Sequence, residues 1–316
     1  MIRKSASSLE PSRGNAKAGG LGRTSQVRPS SNAMEYRFLT GIDFREIHRA
    51  FLEAFADYVV PMHSSREHLE EMLLRRGADL ELSVGAFDDG WLVGFNLNAL
   101  GLYRSRLTLY DVATGIVPSS RRKGVAAGLF EFSLPKLRET KAEQYVLEVI
   151  RTNQPAVSMY QKVGFQTSRA FEAFRRTSPV QESRVFARDL GIREMEPDWR
   201  TFETFWDWHP SWQNSTQSLQ RSGVKKIVLG AMAGGSLIGY GIVFPYSGDI
   251  PQFAVHPDYR RTGVGAALLN GLQRNTNPGL PVHVVNVDAS AIGTLTFLRN
   301  QGFEHFLSQH EMKLDL

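Results

Sequence analysis

The 316-residue chain contains no cysteine. Disulfides, thiolate-held metals and a cysteine nucleophile are thereby excluded, so any group transfer must be direct or pass through another nucleophile. The sequence also lacks an apolar run of about 18 residues, and no membrane-spanning helix is expected. Its histidines are scattered without metal-ligand spacing, and no metal is expected. A charge excess is missing too, once the first 33 residues are set aside. That leader holds six of the 37 basic residues and one of the 32 acidic ones. The rest of the chain is balanced, so the formal charge of +5 gives no reason to expect a nucleic-acid partner.

What is present suits two globular domains in length and apolar content. The leader, 1–33, is rich in Ser, Gly and Arg, has no apolar periodicity, and is expected to be disordered. It ends in Ser31-Asn32-Ala33 before Met34, which reads as the scar of a cleaved tag with Met34 as native start; an organellar transit peptide is the rival reading. The protein is expected in the cytoplasm, as a monomer or homodimer.

Two stretches read almost alike. Ile116-Val117-Pro118-Ser119-Ser120-Arg121-Arg122-Lys123-Gly124-Val125-Ala126 and Val255-His256-Pro257-Asp258-Tyr259-Arg260-Arg261-Thr262-Gly263-Val264-Gly265 both fit V/I-x-P-x-x-R-x-x-G-x-G/A. Their prolines, Pro118 and Pro257, lie 139 positions apart. Each stretch follows a strand-like run and opens a helix-like one. Small residues let the backbone approach a ligand, and a turn feeding a helix N-terminus aims several unpaired N–H groups one way. The pattern predicts a phosphate cradle, carried twice.

Around the cradles the periodicity predicts a repeated order of elements. In the first copy these are a strand over 35–39, a helix over 44–58 capped by Asp43, strands near 80–87, 91–101 and 107–117, and a helix broken or kinked at Pro135. A strand over 144–150, a helix over 153–163 and a further strand follow. The second copy begins near residue 179. It has a strand over 192–196, a helix over 198–208, strands near 225–233, 237–245 and 250–255, a helix over 264–274, a strand over 282–287, a helix over 290–300 and a final pair of strands. This predicts a mixed α/β architecture, largely antiparallel with flanking helices, as two sheets in tandem.

After the first cradle come Gln144–Val149, Asn153-Gln154-Pro155-Ala156 and Tyr160-Gln161-Lys162-Val163-Gly164-Phe165. With the cradles, these residues resemble the GNAT-type acyl-CoA N-acyltransferases, and the similarity covers nearly all of 34–316 as two copies, 34–178 and 179–316. The resemblance implies that acetyl-CoA is the co-substrate. Its diphosphate would lie on the loop around Ile116, Val117, Arg121, Arg122, Lys123, Gly124, Val125 and Ala126. Arg260, Arg261, Thr262, Gly263, Val264 and Gly265 form the second cradle. The strand before the first cradle would supply a backbone N–H to the thioester carbonyl. Tyr160 would be the general acid at the sulfur, its competing role being to pack the helix on the sheet. Asn153 would bond the pantetheine arm as well as cap its helix. Asp111 and Glu148 are both candidates for the general base, acting through water.

Aligned on their Gly-Phe pairs, the copies match Glu148 with Asn286, Asn153 with Ala291 and Tyr160 with Leu298. The first copy is therefore expected to be catalytic, and the second to be degenerate, binding CoA or shaping the substrate site. The second copy also holds Trp199, Trp206, Trp208 and Trp212, read as core or interdomain packing, or as aromatic walls around an acceptor. The resemblance implies acetyl transfer to a primary amine, a small molecule rather than a protein; the alternative is an acyl-CoA-binding protein without turnover.

Overall fold

The computed structural model describes residues 33–57, 65–178 and 190–316. The expectations for the leader before Ala33 and for the start of the second copy lie outside the described residues. The first copy opens with β1 (Glu35–Phe38). Helix α1 (Phe44–Ala54) begins where the Asp43 carboxylate accepts from the Arg45 N–H, and buries Ile47, Ala50, Phe51 and Ala54 on one face. It ends short of the expected Tyr58. The Ala54 carbonyl accepts from Arg121 Nη2 at 2.9 Å, and Phe55 folds back on Phe51 with ring centroids 4.7 Å apart. Helix α2 (Arg66–Arg76) is capped by Ser65 and closed by Gly77 at φ 78°.

Strands β2 (Ala78–Asp88), β3 (Trp91–Tyr103) and β4 (Arg106–Ile116) form an antiparallel meander. Then come α3 (Val125–Arg138), β5 (Gln144–Ile150), α4 (Gln154–Val163) and β6 (Gln166–Arg176). Helix α3 runs through Pro135, where a break or a kink was expected, and is not broken there. Pro135 removes the donor that would bond the Glu131 carbonyl. Both residues lie on the exposed face, so water can take that carbonyl.

The second copy contains β7 (Gly191–Glu194), α5 (Trp199–Glu203), α6 (Thr216–Arg221), β8 (Ile227–Ala233), β9 (Ser236–Phe244), β10 (Asp249–Val255), α7 (Val264–Arg274), β11 (Val282–Asp288), α8 (Ile292–Asn300) and β12 (Glu304–Asp315). The helix expected over 198–208 stops at Glu203. The reason mirrors the end of α1: Arg260 Nη2 donates to the Phe205 carbonyl at 3.1 Å and Nη1 pairs with Asp207. Helix α6 is short and polar, and carries no apolar period from which it could be read.

The two expected sheets are one. Twelve strands run in the order β1-β2-β3-β4-β5-β12-β6-β11-β10-β9-β8-β7. The final strands of the copies are exchanged: β12 lies against β5 of the first copy, and β6 against β11 of the second, all antiparallel. Where a final pair of strands was expected after α8 there is one strand, β12, and its second neighbour is β6 of the first copy. Ladder hydrogen bonds carry no label of which copy supplied the strand, so the exchange satisfies the same donors and acceptors as two separate sheets while joining both cores. A polar cluster marks the seam. Arg169 on β6 grips the Glu311 carboxylate of β12 through Nε and Nη2, at 3.0 and 2.7 Å, and Nη2 donates to the Tyr103 hydroxyl.

Candidate functional site

Both cradles adopt the same backbone. Arg122 and Gly124 have φ of 60° and 80°; Arg261 and Gly263 have 62° and 89°. Each glycine is the residue before a helix, α3 or α7, whose first N–H groups have no intrahelical acceptor. A Cβ built at Gly124 would meet no atom within 4 Å, so the first loop faces open space of the kind an anion would fill.

The first arginine of each loop is committed elsewhere. Arg121 donates from Nε to the Ile116 carbonyl at 3.1 Å, from Nη2 to Ala54 O, and pairs with Asp57 at 2.6 Å. Arg260 repeats the set on Val255, Phe205 and Asp207. These two guanidiniums hold the loops in shape. Arg122 and Lys123 are exposed on the first loop. The buried Val117 gives its N–H to the Val93 carbonyl, and Ile116 pairs with Gly94 in the ladder. Thr262 bonds its hydroxyl to the Tyr259 carbonyl at 2.6 Å.

Ahead of each cradle the parallel strands separate. β4 and β5 pair over Thr108–Tyr110 and then diverge; β10 and β11 pair at Asp249 with His283 and then diverge. A bulge sits at each divergence. In β4 it is Val112, the extra residue between the pairs Asn98–Asp111 and Leu97–Ala113. In β10 it is Ile250–Pro251, between the pairs Phe244–Asp249 and Ile242–Gln252.

The first divergence brings together two of the three catalytic candidates. The Tyr160 hydroxyl, from α4, donates to Asp111 Oδ2 at 3.1 Å. The same oxygen accepts from Thr114 at 2.6 Å, and Asn96 Nδ2 donates to the Thr114 hydroxyl at 2.9 Å. Burial pushes Asp111 up to about 6, against those hydrogen bonds, and its Oδ1 has no hydrogen-bond partner. Burial first, and the Asp111 charge second, hold Tyr160 well above its ordinary value, so the phenol keeps its proton at neutral pH. Tyr145 extends the network to Asn96 and Asn98. Asn96, Asn98 and Thr114 were missed in the sequence, though polar side chains inside otherwise apolar strands are the signal that could have found them. Asn153 caps α4 through its Oδ1 to the Ala156 N–H at 3.3 Å.

Glu148 is placed apart from that pair. Its Oε2 accepts from Gln213 Nε2 and from Asn286 Nδ2, both at 2.6 Å, while Oε1 is buried without a partner. Burial raises its pKa. Equivalent positions of the two copies, Glu148 and Asn286, thus bond to each other. Arg76 joins the group: Nη2 donates to Gln213 Oε1 at 2.6 Å and Nη1 to the carbonyl of the bulge residue Val112 at 3.2 Å. Trp212, beside Gln213, is 3% exposed and stacks on Tyr110 at 5.0 Å.

The second copy holds a cleft of about 950 Å³. Its lining includes Gly263, Gly265 and Ala266 of the loop, residues of the parted β10 and β11, and the rings of Trp206, Trp208 and Tyr240. Ala291 stands before α8 with no side-chain cap, and Leu298 is fully buried, so neither supplies a polar group.

Residues 44–165 match the acetyltransferase (GNAT) family model and residues 225–305 an acetyltransferase (GNAT) domain model. Streptothricin acetyltransferase of Streptomyces lavendulae is 33% identical over 88 residues, 28% of this chain and 46% of that protein. The match thus spans less than half of the curated relative's length. Among solved structures, a GCN5-related N-acetyltransferase from Sphaerobacter thermophilus aligns with a TM-score of 0.68 at 18% identity, over 89% of this chain and 95% of that one. A tandem GNAT protein from the clavulanic acid biosynthesis pathway aligns with a TM-score of 0.67 at 16% identity, over 90% and 98%. Among the described residues no helix is long and apolar enough to cross a membrane. Two cradles of one geometry, two bulged and parted strand pairs and two family domains make this chain a member of the GNAT acyltransferase family, with two domains in tandem.

Proposed function

We propose that the first domain transfers an acetyl group from acetyl-CoA to the primary amine of a small molecule, directly and within a ternary complex. The contact between Tyr160 and Asp111, at the divergence of β4 and β5, carries this reading. The amides that open α3 hold the diphosphate, with Arg122 and Lys123 as exposed cations beside it. Asn153 bonds the pantetheine arm. The bulge at Val112 offers a backbone N–H to the thioester carbonyl, a contact typically worth about 3–4 kcal/mol in such reactions. Asp111, with its pKa raised toward neutrality, takes a proton from the attacking amine through water. Tyr160 donates its phenolic proton to the departing sulfur and is reprotonated from Asp111. Glu148 ties the domains together through Gln213 and Asn286, which leaves Asp111 as the better base.

A small amine is the favoured acceptor because the curated relative is, by its name, a streptothricin acetyltransferase. The test is thiol release from acetyl-CoA against a panel of small amines. Turnover with at least one amine, lost in Tyr160→Phe while acetyl-CoA still binds, is expected. Release that is equal in both proteins removes Tyr160 from the mechanism.

A further inference from the structure

We propose that Arg76 is a positioning residue for transfer in the first domain. It holds the bulge of β4 in the orientation that aims a backbone N–H at the thioester carbonyl, and the second domain holds Arg76 in turn. The inference rests on the role proposed above for the bulge, and adds what sets the geometry of that bulge.

Val112 is the residue left over between the pairs Asn98–Asp111 and Leu97–Ala113, so the ladder is disrupted where orientation matters most. Its carbonyl accepts from Arg76 Nη1 at 3.2 Å. A peptide unit is planar, so a held oxygen holds the whole Val112–Ala113 plane and restricts the torsions of the bulge residue. A guanidinium can do this and bond a second group, because its donors form a rigid fork. The other arm, Nη2, donates to Gln213 Oε1 at 2.6 Å.

The second domain fixes Arg76 at both ends. Arg76 is the last residue of α2, where carbonyls run out of partners inside the helix. The Gly77 N–H serves Leu73 and Leu74. The Arg75 carbonyl accepts from Arg221 Nε at 3.1 Å, and the Arg76 carbonyl from Trp212 Nε1 at 2.9 Å. Trp212 therefore grips the main chain of Arg76 while its neighbour Gln213 grips the head. Gln213 is itself held, since its Nε2 donates to Glu148 Oε2. Its amide thus turns its oxygen to the cation and its nitrogen to the carboxylate.

The adjacent arginine shows the difference between a tie and a positioning contact. Arg75 spends Nη2 on the Gln213 carbonyl and on Asn214 Oδ1, both in the second domain. Arg76 divides its fork between the second domain and the bulge. Loss of Arg76 should thus reach the thioester carbonyl and leave the diphosphate loop alone. The second domain contributes to chemistry in the first without touching the reacting atoms.

The test uses the full chain, acetyl-CoA and an amine that turns over. Isotope-edited infrared spectra of bound acetyl-CoA report how strongly the thioester carbonyl is polarised. Wild type should lower the stretching frequency relative to free acetyl-CoA, and Arg76→Met should lose most of that lowering. In Arg76→Met, kcat should fall at least about tenfold, while acetyl-CoA affinity and the KM of the amine stay within about twofold. Arg76→Lys reaches one partner and not both, and should fall between. Gln213→Met should show the same change in weaker form, and should add nothing to Arg76→Met, because it acts through Arg76. Arg75→Met removes contacts between the domains and none to β4. It should lower stability in denaturant melts and keep both kcat and the carbonyl frequency. If Arg76→Met fails to fold, Arg76→Lys and Gln213→Met carry the test. Three results each sink this inference alone: Arg76→Met with wild-type kcat and frequency, a fall in kcat with unchanged frequency, or Arg75→Met matching Arg76→Met. If wild type neither shifts the carbonyl nor releases thiol with any amine, the transferase reading of the first domain fails, and this inference with it.

Discussion

The two domains share a loop and differ in what stands beneath it. Under the first cradle lie a buried carboxylate and a phenol in contact, with Asn96 and Thr114 holding the carboxylate. Under the second lie Leu298, Ala291 and Pro251, and an aromatic chamber whose polar atoms are already satisfied. Binding an anion needs only oriented amides, which the turn and the helix start supply in both. Moving protons needs a titratable group in contact with its partner, and the first divergence has one in Asp111 and Tyr160. The two domains share the part of the site encoded in a short loop and differ in the part that depends on contacts between distant elements.

The comparison breaks most sharply at the loops. Gly124→Glu should abolish acetyl-CoA binding to the first domain in calorimetry, since it sets a negative charge before the diphosphate amides and forces a side chain at φ 80°. Gly263→Glu should leave transfer to the amine intact. If Gly263→Glu folds and loses all transfer while Gly124→Glu keeps it, the assignment of roles is reversed.

Tyr160→Phe comes next. Turnover should fall roughly 10²-fold or more, with acetyl-CoA affinity nearly unchanged, because the role proposed for the hydroxyl is in the transition state. A loss of affinity with unchanged turnover would make it a packing residue, a role its edge contacts with Phe130 and Phe165 also fit.

Asp111 gives a pH signature that the second domain lacks at this position. Its folded pKa of about 6 exceeds the ordinary 3.8, so the folded state binds the extra proton. Stability from this group is complete below about pH 4, falls as pH rises toward 6, and then levels, for a total of about 3 kcal/mol at most. Denaturant melts of wild type against Asp111→Asn should show that slope disappear. Turnover should rise through the same window as the base ionises.

The smallest effect is expected at the tie between domains. Glu148→Gln should cost roughly 1–3 kcal/mol in denaturant melts, since Gln213 and Asn286 lose a charged acceptor, and should change turnover little. If stability holds and turnover collapses, Glu148 is the base and Asp111 is not.

Much of the site was legible. The two loops announce themselves because such a motif is local: the glycines, the arginine and the helix start are neighbours in sequence, and the structure gives both loops the same dihedrals. Strand β5 and helix α7 fall where the periodicity sets them. Tyr160 and Asp111 could be named separately, but nothing in the sequence says that a residue on α4 touches one on β4. The role of Arg121 was legible only in part: its charge is visible in the motif, its capping of Ala54 is not.

The sequence alone determined two copies, the position of each loop, most of the strands and the longer helices of each, and the absence of the Tyr, Asn and Glu from the second. These follow from local geometry and side-chain chemistry, which residues carry with them. Tertiary structure decided that β6 and β12 change places, that Glu148 bonds its own counterpart Asn286, and that Trp206, Tyr240 and Gln252 bond to one another in the wall of a cleft. A strand's backbone pairs equally well with either neighbour, so only the packing of both cores at once selects its partner. The meeting of side chains far apart in the chain follows from that selection.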